Sequence, residues 1–407
     1  MKTLLKHLIK FLAAATIRKY SPGVIGITGS VGKTSTKDAI YAVLRSARRV
    51  RATPGNYNNE FGVALTVLGD WNESGGFFFW TKVMLVACLR LLFRVNYPEV
   101  LIIEYAADRP GDIKYLLDIV RPQISVVSAI GEIPVHLEFY SSPEAVAREK
   151  SKLIECLPAT GFALLNTDDA VINGIRERTR AHLITYGFES EADLRIANFE
   201  TRIENQLPVG ISFKLQYAGS FVPVRLDGCF GRGAAYAAAA AAGVGIVFGL
   251  HLVQISDALL SYRSPEHRMR LLSGIKGTRI IDDAYNASPL SVLEAIRTVK
   301  ELPAKRRVAI LGDMLELGKY SLEAHEAVGR AAAKAFDFLI TVGPRAKFIA
   351  ESAAATRYPA KSVLTFDTAR EAAKIAPAHL RRGDLVLIKA SRGIHLEEVV
   401  EALSESR

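Results

Sequence analysis

The chain has 407 residues, with 52 Lys and Arg against 42 Asp and Glu and a formal net charge of +10. That length predicts two or three domains, and 49% apolar residues are enough to fill their cores. Three widely separated cysteines, Cys88, Cys156 and Cys229, exclude a CxxC zinc site and a disulfide scaffold and fit a reducing cytosol, while the positive balance points to anionic partners: nucleotides, nucleic acid or lipid.

Residues 1–22 read as a basic amphipathic helix. "MKTLLKHLIKFLAAATIRKY" carries Lys2, Lys6, Lys10, Arg18 and Lys19, and the first acid of the chain is Asp38. Lys2, Lys6 and Lys10 recur every four residues and so share one helical face. Next comes "GVIGITGSVGKTSTKDAI", which predicts a strand over 24–28 and a helix from Gly32 to about Arg45. Between them Thr28, Gly29, Ser30, Val31, Gly32, Lys33, Thr34 and Ser35 have the composition of a phosphate-binding loop. In such a loop backbone N–H groups wrap the phosphates, Lys33 reaches the β and γ phosphates, and Thr34 holds Mg²⁺. The helix that follows adds its positive N-terminus. Ile27 stands where the commoner G-x-x-x-x-G-K-[ST] pattern has its first glycine. A signal peptide is excluded for residues 1–20, because Lys10 interrupts the apolar run and an ATP site belongs in the cytoplasm.

Residues 75–95, "GGFFFWTKVMLVACLRLLFRV", form an apolar insertion. Phe77 to Val95 is 19 residues, close to spanning length, but Lys82, Arg90 and Arg94 fall within roughly a third of the helix circumference at ~100° per residue. Burying each at a bilayer centre costs about 2.5–3.5 kcal/mol. The readings are an amphipathic helix lying in a membrane interface, a helix docked on the protein, or a span.

"EVLIIEYAA" from Glu99, "QISVVSAI" (123–130) and "GFALLNTDD" (161–169) read as buried parallel strands separated by helices. Residues 192–226 alternate polar and apolar and read as a small antiparallel sheet, and 234–242 as a close-packed Ala helix. After "SPEHRM" strands and helices alternate again through "TRIIDDAY", "RVAILGDM", "DFLITVG", "SVLTF" and "DLVLIKASRG". The fold class expected is α/β: a P-loop domain over 23–264, with a mostly parallel sheet plus a small antiparallel one, then a Rossmann-like α/β domain over 265–407. "RSPEH" is the expected hinge.

The spacing TG-x-x-GKT resembles that of the Mur ligases, the ATP-dependent amide-forming enzymes of peptidoglycan precursor synthesis. The resemblance runs from about residue 23 to 407 through "TPGNYNNEFGVALT", "IIEYAADRPGDIKYL", "HLEFYSSPEAVAREKSKLI", "LLNTDD", "DDAYNASPLSV", "LGDMLELG" and "KASRG", in the family's order. It implies that a substrate carboxylate attacks the γ-phosphate of ATP, and that an amine then displaces phosphate from the acyl phosphate. The implied reaction adds D-alanyl-D-alanine to a UDP-muramoyl tripeptide or a related small-molecule precursor. It also implies two Mg²⁺ ions held by Thr34, Glu104, His136 and a carbamylated Lys150. Lys33 and Arg268 are implied on the phosphates, His267 beside the adenine and Asp283 on the ribose. Asn58, Asn59, Tyr285, Asn286, Ser391 and Arg392 are implied on substrate.

Three departures accompany the likeness. Only 22 residues precede the P-loop strand, so the family's UDP-gripping domain is expected to be absent. The two basic apolar segments are then expected to hold the enzyme at an anionic membrane surface on the cytoplasmic side. "GRGA" (231–234) stands where the family has G-x-H-N, and Ala129 where it has Asn before a longer turn to His136. The alternatives are the same chemistry on a different or lipid-linked donor with a donor-binding partner subunit, or a non-catalytic ATP-binding scaffold. Nucleic acid is excluded as a partner, since the sequence has no recognition helix or stacking signature.

Overall fold

A computed structural model describes residues 2–55, 57–71, 75–356 and 358–405. Asn56 of the second motif and the side chain of Lys2 lie outside what is described. In chain order the first half runs α1 (Lys2–Tyr20), β1 (Gly23–Thr28), α2 (Lys33–Leu44), β2 (Val50–Ala52), α3 (Glu60–Leu68), α4 (Phe77–Leu92), β3 (Val100–Glu104), α5 (Asp112–Leu117), β4 (Ile124–Val127), α6 (Pro143–Glu155), β5 (Phe162–Asn166), α7 (Ala170–Asn173), β6 (His182–Gly187), β7 (Leu194–Glu204), β8 (Leu207–Tyr217), β9 (Ser220–Asp227), α8 (Gly231–Val247) and α9 (Leu252–Leu259). The second half runs β10 (Arg270–Gly274), β11 (Thr278–Asp282), α10 (Pro289–Glu301), β12 (Arg307–Gly312), α11 (Ser321–Ala332), β13 (Phe338–Val342), α12 (Lys347–Ala355), β14 (Val363–Phe366), α13 (Ala369–His379), β15 (Leu385–Lys389) and α14 (Glu397–Leu403).

The first sheet has nine strands in the order β2-β3-β1-β4-β5-β6-β7-β8-β9. β1, β3 and β4 are buried along almost their whole length, as their unbroken apolar runs require once helices cover both faces. The strands of 192–226 do pair antiparallel, but they are not a separate sheet: β7 pairs parallel with β6 through Tyr186↔Leu194 and continues the first sheet. β6, which closes that gap, was not legible as a strand. The second sheet has six strands, β10-β11-β15-β12-β13-β14, parallel except for β10. β10 was also missed, being a short edge strand that continues directly from the "SPEHRM" segment.

α8 is buried along most of its length and packs on α2 and across β5, β6 and β7. Its alanines and glycines let the backbone approach the sheet closely. A Cβ added at Gly243 would lie 2.5 Å from Leu164 Cδ2 and 3.0 Å from Leu194 Cδ1. On the opposite face α1 and α4 pack on each other and on α3. α4 buries only Val83 and Ala87. Its 16 residues rise only ~24 Å, short of the ~30 Å hydrocarbon core, and no described helix is long and apolar enough to cross a membrane.

Overpacking the α8–sheet contact is expected to cost about 1–3 kcal/mol. Gly243→Val should lower the urea midpoint accordingly; an unchanged midpoint would show that the contact yields.

Candidate active site

The motifs meet at the carboxyl ends of β1, β3 and β4. β1 is hydrogen-bonded to β3 on one side and β4 on the other, the kind of switch point at which open α/β sheets bind ligands. There a cleft of ≈450 Å³ opens between the two halves of the chain.

The loop after β1 is shaped by two glycines. Gly29 has φ +145°, and a Cβ there would lie 2.2 Å from Ser128 Oγ. Gly32 sits at φ +85° as the residue that starts α2, in the left-handed region that only glycine enters freely. The amides of Ser30 and Val31 donate to the Ala129 carbonyl at 2.6 and 3.1 Å, and Ser128 Oγ donates to Val31 O at 2.6 Å. α2 has no side-chain cap, so the amides of its first turn face the cleft without helical acceptors.

Two lysines converge on this loop. Lys33 Nζ donates to the Gly29 carbonyl at 2.8 Å, and Lys150 Nζ, from α6, donates to the same oxygen at 3.2 Å. Lys150 is 1% exposed. Burial, reinforced by the charge of Lys33, pushes its amine down to about 7. Burial also lowers Lys33.

Glu104 ends β3 beside Ile27 of β1. Its Oε2 accepts from Asn58 Nδ2 at 3.4 Å, while Oε1 is buried with no hydrogen-bond partner. Lys37 Nζ stands 3.7 Å from Oε1 and donates to the carbonyls of Thr53 and Gly55 at 2.8 and 2.9 Å. Lys37 was not picked out from sequence. One turn beyond Lys33 in "GKTSTK", it reads there as an ordinary solvated lysine.

His136 takes a left-handed backbone (φ +65°). Its Nε2 is 3.3 Å from Asp108, and its Nδ1 is 2.6 Å from Glu316 of the second half. That contact holds the Glu316 carboxyl below its usual range. Neither Asp108 nor Glu316 was singled out from sequence, although both lie inside the quoted motifs.

The second half presents a further set. The Arg268 guanidinium stacks on the Tyr285 ring at 4.2 Å, and Arg392 approaches the same ring at 5.6 Å. Asp283 pairs with Lys389 at 2.6 Å and accepts from the Met269 amide at 3.2 Å. Lys389 is buried and also donates to Asn286 O at 2.9 Å. Ser391 Oγ accepts from the Leu315 amide at 2.9 Å. Lys389 opens "KASRG" but was passed over in favour of Ser391 and Arg392.

Of the residues expected at the site, Ser30, Val31, Gly32, Lys33, Thr34, Ser35, Asn58, Glu104, His136, Lys150, Arg268, Asp283, Tyr285, Asn286, Ser391 and Arg392 all line the cleft. Four expectations differ. Thr28 is buried behind the loop, donating to Tyr105 O at 3.0 Å. Gly29 offers its carbonyl to the lysines rather than a surface to the cleft. The His267 ring is drawn to Asp282 at 2.8 Å. Asn59 caps α3, accepting from the amides of Phe61 and Gly62 at 3.2 and 3.0 Å. It borders a separate cavity of ≈240 Å³ with Lys6, Glu60 and Asp112. Where the His and Asn of G-x-H-N are missing, Arg232 lines the cleft with its guanidinium 4.5 Å from the Phe188 ring.

The sequence matches the family description "Mur ligase middle domain" over residues 27–77 and 84–245, and "Mur ligase, glutamate ligase domain" over 267–392. The chain belongs to the Mur ligase family. The break in the first match falls inside α4. A UDP-N-acetylmuramoyl-tripeptide–D-alanyl-D-alanine ligase of Bacillus subtilis (strain 168) is 30% identical over 97% of this Mur ligase and 79% of its own length. The ligase of the same name from Mycobacterium tuberculosis (strain CDC 1551 / Oshkosh) is 32% identical over 93% and 72%. A crystal structure of MurF ligase from Thermotoga maritima in complex with ADP superposes with a TM-score of 0.81 at 27% identity, over 98% of this chain and 83% of that one.

The depressed Lys150 amine has a stability signature. In the unfolded Mur ligase a lysine holds its proton to about pH 10.4, so between about pH 7 and 10 the folded form binds fewer protons and stability rises with pH. One such group contributes at most about 1.4 kcal/mol per pH unit. Urea unfolding at pH 7 and pH 9, in buffer free of carbon dioxide, should show that gain in the parent protein and its loss in Lys150→Met. Equal pH slopes would show that Lys150 is not depressed.

Proposed function

We propose that the chain is an ATP-dependent, ADP-forming ligase that couples a peptidoglycan-precursor acid to an amine through an acyl phosphate. The favoured pair is UDP-muramoyl tripeptide with D-alanyl-D-alanine, or a closely related amino acid or dipeptide. The support is the two relatives of that name, matched over nearly the whole chain. Residues 23–264 form the ATP-binding part, 265–407 the part that closes over it, and the cytoplasm is where its ATP is found.

The single observation that carries the reading is one cleft that joins a P-loop to cations from both halves and leaves a buried carboxylate oxygen without a hydrogen bond. Lys33 is held on its own loop's carbonyl, from which it can turn to a γ-phosphate. The open amides of α2 cradle the β-phosphate. Arg268 neutralises charge as the phosphoryl group moves. Asp283 and Lys389 fix the segment that meets the nucleotide sugar, and Ser391 and Arg392 face the incoming amine.

The donor set fits a hard cation at one position. Glu104 Oε1 lacks a hydrogen bond, and the Thr34 hydroxyl lines the same cleft. Mg²⁺ held there supplies Lewis-acid stabilisation of phosphate charge. The second position needs more: His136 is engaged by Asp108 and Glu316, and an amine gives no oxygen. Lys150 supplies one if its neutral amine adds carbon dioxide, forming an N–C bond and releasing a proton. Burial favours the neutral amine, the form that reacts, and Lys33 stands beside the carbamate charge so formed.

Phosphate release with UDP-muramoyl tripeptide and D-alanyl-D-alanine tests the reading, against single amino acids as competing acceptors. Lys33→Ala and Glu104→Gln are each expected to lower turnover about 10²-fold or more. Undiminished coupling in Lys33→Ala, or no turnover of the parent protein with any pair, would overturn it.

A further inference from the structure

Half of the exposed large apolar side chains among the described residues lie between Leu4 and Val95. They fall on two helices that pack on each other, α1 and α4, and on Phe93 and Val95 just beyond α4. Leu4 and Phe11 are 75% and 67% exposed on α1; Phe78 and Leu92 are 87% and 76% exposed on α4, with Leu85 and Leu89 between them. At ~100° per residue Phe78, Leu85, Leu89 and Leu92 share one stripe, and so do Leu4, Leu8 and Phe11. We propose that this two-helix face is a docking surface for an anionic lipid bilayer, on which the protein lies without spanning.

The two helices are tied to the rest of the protein by their charged side chains. Lys6 pairs with Glu60, and Lys10 with Asp118 at 3.1 Å. Lys19 Nζ donates to the carbonyls of Arg90, Leu91 and Phe93 at 2.8–3.0 Å, closing the end of α4. Arg90 turns inward to the Leu68 carbonyl. These contacts correct the expectation of one lysine stripe facing lipid, since Lys6 and Lys10 face the protein. Among the described residues, the cations left outside are Arg18, Lys82 and Arg94, all exposed. Arg18 continues the apolar stripe of α1, Lys82 stands at the edge of the α4 stripe, and Arg94 follows its end.

Charge decides between occupants. Neither helix carries an acid, so an apolar surface whose own charges are all basic matches an anionic interface, where each nearby Lys or Arg strengthens binding. The stripes also offer almost no polar side chain by which a protein partner could fix a register, and a bilayer requires none.

The experiment uses the full chain without nucleotide, so its outcome is separate from ligase turnover. Cys88 is the exposed one of the three cysteines and lies on α4; an environment-sensitive dye there reports contact with vesicles. With vesicles of phosphatidylcholine plus phosphatidylglycerol, the expected result is a blue shift and co-flotation, weaker with phosphatidylcholine alone. Lys82→Ala and Arg94→Ala should each weaken binding to the anionic vesicles about fivefold. Phe78→Ser with Leu92→Ser should abolish it while leaving the thermal midpoint unchanged, both side chains being exposed. The proposal is overturned if the parent chain binds neither vesicle. It is equally overturned if Phe78→Ser with Leu92→Ser leaves vesicle binding intact, or instead dissolves a dimer or a complex with a protein partner.

Discussion

Two ammonium groups on one carbonyl oxygen set the terms for the rest of the molecule. Lys33 and Lys150 reach Gly29 O from opposite sides, and the second of them is almost wholly buried. Two like charges at that distance away from water are not both sustained. Either one amine is neutral or an anion lies against them. The fold enforces the crowding: β1 delivers the loop, α6 delivers Lys150, and the close approach of Ser128 to Gly29 excludes any side chain that would separate them. Glu104 relieves it only in part: its charge favours the Lys33 ammonium but is outweighed by burial, and Asn58 and Lys37 also hold the carboxylate. The cleft is therefore electropositive where a polyphosphate would lie.

The second half supplies its cations in two different states. Lys389 is neutralised by Asp283 at 2.6 Å and held by a backbone carbonyl, so it stiffens the cleft wall. Arg268 makes no ion pair among the described residues; it lies over Tyr285, and a stacked guanidinium keeps its N–H edge available for an anion. Arg268, with Arg392 over the same ring, can thus be offered to a phosphate without first breaking a salt bridge. The halves meet through His136 and Glu316, and the Glu138 amide donates to Glu316 O at 3.2 Å alongside. One imidazole thus ties a carboxylate of each half, Asp108 through Nε2 and Glu316 through Nδ1.

Legibility in the sequence followed how local the determinant is. β1, β3 and β4 were readable because burial on both faces demands unbroken apolar runs. The P-loop was readable because its glycines, lysine and threonine are contiguous. β6 and β10 were not: one is half exposed and bridges two sheet regions, the other is an edge strand whose partner lies in the next segment. Lys37 and Lys389 escaped for a related reason. A lysine's sequence neighbours do not say whether its ammonium meets water or a ring of carbonyls, and both are held by oxygens from distant turns. Asn59 went the other way. Its place before α3 already made it a helix cap, and the geometry gives its side chain to that cap.

The basic helices show the same limit in its sharpest form. Helical periodicity fixes the angle between residues, but not which face turns toward the protein. On α1 the lysines spaced by four looked like the outward face, since that is where cations commonly go. Ile9, Leu12 and Ala13 turn into the core, and Glu60 and Asp118, remote in sequence, meet Lys6 and Lys10 on that side. The leucines and phenylalanine that remain have no counterpart to bury them. Their exposure is therefore a consequence of which apolar face is buried: Ile9, Leu12 and Ala13 take the core, the ion pairs of Lys6 and Lys10 reinforce that choice, and the second apolar stripe is left in water.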